Sequence, residues 1–295
     1  MNAKRILTAA AAVLLVLPLL CCGKAENAKA PELSGGIYTE HGGSTGPYVF
    51  FDTAEKTWRI GAGIGVSYSV GGSYATDGKT VTASDDGEDG FTVVFEIETN
   101  RRVRAVSVTG AEGQPCSEWI EEGKTYETLE IGTLFYEVHE PGEAYEAAKS
   151  FPVVLSEGSG VVSGEDLWEE FLEAAGEGIP STVLIADRTD IESYPPPDVD
   201  DPDHQMIFIL LEYDGETFSA SERVSTEKEI ESERELPYLV RVEKAMPEGS
   251  ASKNYVGYFL SDKADLTMDE IMAVWKSSSV DPDAPEFYSL ISLYY

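Results

Sequence analysis

The stretch Gly46-Pro47-Tyr48-Val49-Phe50-Phe51-Asp52-Thr53-Ala54-Glu55-Lys56-Thr57-Trp58-Arg59-Ile60 sets the pattern of the first half of the chain. Two short apolar and aromatic runs flank a polar turn, the mark of neighbouring antiparallel strands. The same texture continues on both sides. Ile37-Tyr38 precedes it, and Val66 to Val70, Thr80-Val81-Thr82, Phe91 to Ile97 and Val103 to Val108 follow, with Leu129 to Val138 as one more expected strand. Asp77-Gly78 predicts a tight hairpin turn, and Asp85-Asp86-Gly87-Glu88-Asp89-Gly90 a longer polar one. Turns at this spacing argue for an antiparallel meander or barrel.

After Ser156-Glu157-Gly158-Ser159-Gly160 the texture changes. Ser163 is placed to cap a helix, with Asp166 three residues on and Leu167, Trp168, Phe171, Leu172 and Ala175 forming one apolar stripe. Gly176 or Gly178 ends it. Strands are expected at 182–186, 205–213, 217–224, 238–242 and 255–260, with Asp214-Gly215 as a tight hairpin. Thr267 and Glu270 form a capping box for a last helix through Trp275. The fold class expected is therefore α+β: an antiparallel β-barrel-like N-terminal domain, then a helix-meander-helix α+β domain.

The amino terminus gives an address. Lys4 and Arg5 precede an uncharged run from Ile6 to Leu20. That run is an export signal, short of the ~20 apolar residues a spanning helix needs. Its end, Leu19-Leu20-Cys21-Cys22-Gly23, resembles the lipobox of bacterial lipoproteins. The resemblance implies cleavage before a cysteine that carries a diacylglycerol. Cys22 fits better than Cys21, because small Cys21 rather than bulky Leu20 would then precede the cut. The alternative is plain secretion after Ala28-Lys29-Ala30, where the following Pro31 is unfavourable. Two acyl chains on Cys22 would give stable anchoring to the membrane.

The 295-residue chain holds 54 acidic against 21 basic side chains, and removal of Lys4 and Arg5 leaves 19 basic ones. Such a field repels nucleic acid and anionic lipid headgroups and favours cationic partners. Cys21, Cys22 and Cys116 are the only cysteines, so no disulfide framework is expected. Cys116 reads as a small packed residue, since nothing in Gln114-Pro115-Cys116-Ser117 would activate a thiol. The organisation expected is signal peptide and lipobox at 1–22, tether at 23–34, barrel-like domain at 35–140, linker at 141–160 and α+β domain at 161–295.

Two further resemblances rest on named residues. Gly36-Ile37-Tyr38, Phe51-Asp52, Lys56-Thr57-Trp58, Val66-Ser67-Tyr68, Gly72-Ser73-Tyr74 and Phe91-Thr92-Val93-Val94-Phe95 resemble a small lipocalin-like β-meander module. That module occurs in extracytoplasmic lipoproteins and sensor ectodomains of Gram-positive bacteria. Val161-Val162, Leu167, Phe171, Leu211-Glu212-Tyr213-Asp214-Gly215 and Phe218 are similar to an uncharacterised α+β lipoprotein domain of the same kind of bacteria. These are packing and turn residues, and they imply folds rather than activities.

Candidate chemistry is sparse. Gly42-Gly43-Ser44-Thr45-Gly46 matches a nucleophile elbow, but a strand follows where a helix is needed. Ser225-Thr226-Glu227-Lys228 and Ser250-Ala251-Ser252-Lys253 match S-x-x-K without its partner motifs. Gly61-Ala62-Gly63-Ile64-Gly65 reads as a turn or bulge. Zinc is not expected, because His41, His139 and His204 are widely spaced. The metal candidate is Asp198, Asp200, Asp201 and Asp203 beside His204, oxygen ligands suited to Ca²⁺. A solvated acidic loop is the plainer reading, so no resident cofactor is expected. Alternation would let the aromatics Tyr38, Tyr48, Trp58, Tyr68 and Tyr74 divide between a core and an exposed, ligand-stacking face, with core packing the commoner explanation.

The resulting expectation is a lipid-anchored binding or interaction protein on the outer face of a bacterial membrane, with no catalytic activity and an unknown envelope ligand or protein as partner. The alternative is an envelope hydrolase or hydrolase inhibitor whose site is assembled from distant residues. A cleft gathering His41 or His139 with carboxylates would favour the enzyme.

Overall fold

The computed structural model describes residues 30–40, 46–63, 69–85, 90–110, 118–157, 160–189, 205–246, 252–277 and 284–294. The fold is mixed α+β and dominated by antiparallel strands. Eight of them form a closed barrel in sequence order: β1 (Gly36–Glu40), β2 (Tyr48–Asp52), β3 (Thr57–Gly61), β4 (Ser69–Thr76), β5 (Thr80–Asp85), β6 (Thr92–Thr99), β7 (Arg102–Thr109) and β8 (Thr125–Thr128). β8 returns to β1 through the pairs Tyr38–Thr128 and Glu40–Tyr126. Closure leaves the barrel with no free edge.

Period-two alternation decides what the barrel contains. Along β6, Val93, Phe95 and Ile97 point inward while Glu96 and Glu98 point outward. Arg104 meets both glutamates on the outer surface, its Nε lying 2.8 Å from Glu98. Apolar inside and charged outside is the reverse of a barrel that faces lipid. The interior is filled by aromatic rings. Phe51 makes edge contacts with Tyr38, Tyr74 and Phe95 at centroid distances of 5.5–5.6 Å, and Phe95 extends the chain of contacts to Tyr126. Core packing, the commoner reading of these aromatics, holds for three of them. Tyr38, Trp58 and Tyr74 all enter the core, Tyr48 is half-buried, and Tyr68 lies outside the described residues. Two of the polar tips are satisfied where they enter, the Tyr38 hydroxyl donating to Ser34 O and the Trp58 indole to Ser84 O, while the buried Tyr74 hydroxyl has no hydrogen-bond partner among the described residues.

The hairpin at Asp77-Gly78 forms as expected, with the Asp77 carboxylate accepting from the Lys79 and Thr80 amides. The strand expected over Leu129–Val138 does not form. β8 stops at Thr128, and Ile131–Phe135 is a π-helical turn. Ile131, Leu134 and Phe135 share one buried side, a spacing that suits a helix rather than a strand.

The second part is built on a six-stranded sheet of order β10-β9-β11-β12-β13-β14. Its members are β9 (Val154–Glu157), β10 (Gly160–Ser163), β11 (Ser181–Thr189), β12 (Gln205–Tyr213), β13 (Phe218–Val224) and β14 (Ser232–Leu236). β9 and β11 run parallel, and the other pairs are antiparallel. A separate three-stranded sheet comprises β15 (Tyr238–Ala245), β16 (Asn254–Ser261) and β17 (Phe287–Tyr294). The strands after α2 (Glu165–Gly176) are thus shared between two sheets, because the chain leaves β14 at Leu236 and starts the second sheet at Tyr238. The 141–160 stretch holds α1 (Pro141–Ser150) and β9.

Burial on both faces explains the unbroken apolar run of β12. Met206, Phe208 and Leu210 pack with Leu184, Ala186, α1 and the π-helical turn. Ile209, Leu211 and Tyr213 pack on the other side with Trp168 and Phe171 of α2, and with Leu260, Leu290 and Ile291 of the second sheet. Ser163 does not cap α2. Gly164 holds that position with φ +77°, where a Cβ would lie 2.2 Å from Val153 O, so close approach to β9 rather than a side-chain cap starts the helix. The capping box of α3 (Met268–Lys276) forms as expected between Thr267 and Glu270.

Candidate functional site

On the α2 side of the six-stranded sheet the apolar layer gives way to polar groups. The inward phase of β11 runs Val183, Ile185, Asp187, and that of β13 runs Phe218, Ala220, Glu222. Ser156 of β9 lies beside Asp187 in register. Opposite them stands β17, and a cavity of about 250 Å³ separates the two layers. Its walls carry Ser156, Asp187, Glu222, Tyr288, Ser289 and Ser292, with Ile207, Ile209 and Leu290 as apolar floor.

A bulge in β17 creates this wall. Ile291 pairs with Tyr258, but Ser289 pairs with the next residue, Phe259, so Leu290 is the extra residue. Residues 288, 289 and 290 consequently all reach the cavity, which strict alternation would forbid. The Ser156 hydroxyl donates to Asp187 and the Tyr288 hydroxyl to Glu222. Burial, then the bond to Glu222, pushes the Tyr288 phenol well above its ordinary range, so it stays protonated as a donor. None of the lining residues is Lys, Arg or His. Arg234 of β14 is close enough to oppose the Tyr288 shift, but its side chain is exposed and its guanidinium donates to Glu233 O.

A second polar cluster sits where the barrel meets the sheet. Arg102 Nε donates to Glu127 Oε1 at 2.8 Å, while its NH1 lies 2.5 Å from Glu212 Oε1 of β12. Burial lowers the proton affinity of Arg102, but Glu212 and Glu127 outweigh it and hold the group firmly protonated. Burial pushes the Glu212 carboxyl above its ordinary range, with Arg102 opposing. Arg101 pairs with Glu130 and donates to Pro152 O, and Thr182 bonds Asn100 and Thr99. This cluster is a joint between parts of the fold. Arg223, 1% exposed, adds a clamp: its guanidinium donates to Glu227 O, Leu134 O and Glu137 O, fixing the π-helical turn to β13.

Neither polar cluster contains a residue singled out from sequence as a site. Cys22, Ser44, Cys116, His41, and the Asp198, Asp200, Asp201, Asp203 and His204 segment lie outside the described residues. Among the described residues no group of three or more His, Cys, Asp or Glu could hold a metal ion. His139 binds Thr133 O through Nε2 at 2.8 Å, and its backbone amide donates to Ser225 O. The buried Ser225 hydroxyl has no hydrogen-bond partner among the described residues and Lys228 is exposed, so that S-x-x-K pair makes no hydrogen bond. The signal for the cavity residues was a carboxylate on the inward phase of a strand, recognisable only once the buried face is known. No helix among the described residues is long and apolar enough to cross a membrane. Comparison of the chain with protein-family models, curated proteins and solved structures finds no match.

Proposed function

We propose that this chain is a lipid-anchored, non-catalytic binding protein on the outer face of a bacterial membrane, held there through Cys22. The carrying observation is the cavity between the six-stranded sheet and β17, a polar recess backed by two sheets and α2. Such a concave site with a few convergent polar groups over an apolar floor suits a small ligand. The barrel contributes a solid, aromatic-filled body with a charged outer surface. The basic start, the uncharged run and Leu20-Cys21-Cys22-Gly23 support the anchor. Metabolic labelling with a palmitate analogue tests it: label on the wild type and none on Cys22→Ala is expected. No label on the wild type would remove the lipid anchor from this reading, and label kept in Cys22→Ala but lost in Cys21→Ala would move the lipid to Cys21.

A hydrolase is the second reading, favoured by the facing of Asp187 and Glu222 into one cavity, since paired carboxylates serve glycoside hydrolysis. Release of reducing sugar from envelope glycan, abolished by either Asp187→Asn or Glu222→Gln, would replace the binding reading with this one.

A further inference from the structure

We infer that the cavity takes a small ligand through a primary ammonium group on a short aliphatic stem, an inference that rests on the binding-protein reading above. The first argument is the sign of the charge. Asp187 and Glu222 come from different strands yet face one space, and the lining supplies no cationic side chain. A chain of formal charge −33 strengthens that field, which repels phosphates and carboxylates and concentrates cations.

Hydrogen-bond chemistry sharpens the class. An ammonium is a compact point charge with three donors and no acceptor. The cavity answers with two carboxylates and the oxygens of Ser289 and Ser292, the latter 3.2 Å from the Tyr255 hydroxyl. Ser156 and Tyr288 donate to the carboxylates and so orient them.

Shape and size give the stem. Ile207, Ile209 and Leu290 form an apolar floor under the polar rim, matching methylenes beneath a charged head. A volume of about 250 Å³ corresponds to roughly eight waters at ~30 Å³ each, which admits a chain of about that many heavy atoms. The bulge at Leu290 builds this wall, because it brings consecutive residues of β17 to the same side.

The test is isothermal titration of the full-length protein in detergent at physiological salt with 1,5-diaminopentane, pentane-1,5-diol and glutarate. Saturable binding of the diamine, silence of the other two, and at least tenfold weakening in Glu222→Gln are expected. Asp187→Asn provides a second variant, and thermal melting of each checks that it folds. Equal binding of diamine and diol would overturn the inference in favour of hydroxyl recognition. Diamine binding undiminished in both folded variants would overturn it by placing the amine elsewhere on the acidic surface. Absence of diamine binding would also overturn it, and would leave the anchored envelope reading to the palmitate experiment, which does not depend on the cavity.

Discussion

Arg102 leaves the barrel at β7 and places its NH1 2.5 Å from Glu212 Oε1 on the central β12 strand of the six-stranded sheet. The same guanidinium holds Glu127 of β8. One cation thus serves a carboxylate from each part of the fold. Both carboxylates have lost most of their water, and Glu127 is 3% exposed. Removing the cation strands two negative charges rather than one.

Arg102→Met is therefore expected to destabilise the protein by about 3 kcal/mol, the low end for breaking a buried pair, since a fifth of the Arg102 and Glu212 side chains touches solvent. Denaturant unfolding followed by circular dichroism measures this. A change within about 0.5 kcal/mol, typical of surface substitutions, would show that the joint contributes no net stability.

Glu212 gives the joint a pH dependence of known sign. Burial raises its folded-state proton affinity above that of the unfolded chain. The folded state then holds more protons in the window above the ordinary carboxylate range, so this group's contribution falls as pH rises through it. Glu212→Gln removes the titration. The stability of Glu212→Gln relative to wild type is expected to climb from pH 4 to pH 7, and a flat or falling difference would contradict the assigned shift.

Phe51 sits at the centre of the barrel, fully buried among Tyr38, Tyr74 and Phe95. Phe51→Ala leaves a cavity that rings on three sides cannot close. A loss of about 3–5 kcal/mol is expected in urea unfolding, with Phe51→Leu costing distinctly less. Equal costs would mean that the interior repacks freely.

The α3 cap offers a smaller effect. Thr267 Oγ1 accepts from the Glu270 amide and Glu270 returns a bond to the Thr267 amide. Thr267→Ala is expected to cost about 1 kcal/mol. Lys263, then Thr267, lowers the Glu270 carboxyl to about 2. Because that affinity is depressed on folding, the contribution of Glu270 is present above the ordinary glutamate range and is lost as pH falls towards 2. A Thr267→Ala penalty that stays constant from pH 7 to pH 2 would contradict the coupling.

Much of the barrel was legible in the sequence because its code is local. Tyr48 to Ile60 reads as two strands, and Asp77-Gly78 and Asp214-Gly215 read as turns whose aspartates hold the next amides. The Thr267 and Glu270 box is local in the same way. The strand expected over Leu129 to Val138 gives way to a helical turn because its apolar residues satisfy two periodicities, and the docking of Ile131, Leu134 and Phe135 beside α1 chose the helical one. Ser163 looked like a cap, yet the space available at Gly164 against Val153 decided the helix start.

By itself the sequence determined the β texture of the first half, its hairpins, the two amphipathic helices and the strongly acidic surface, all features carried by neighbours within a few residues. Tertiary structure alone decided closure of the barrel between β8 and β1, the joint from Arg102 to Glu212, and the meeting of Asp187, Glu222 and Tyr288 around one cavity. Those partners stand from 35 to 110 positions apart along the chain, and no local pattern records which strands lie side by side. Packing settles that, by matching buried faces across distances the sequence does not encode locally.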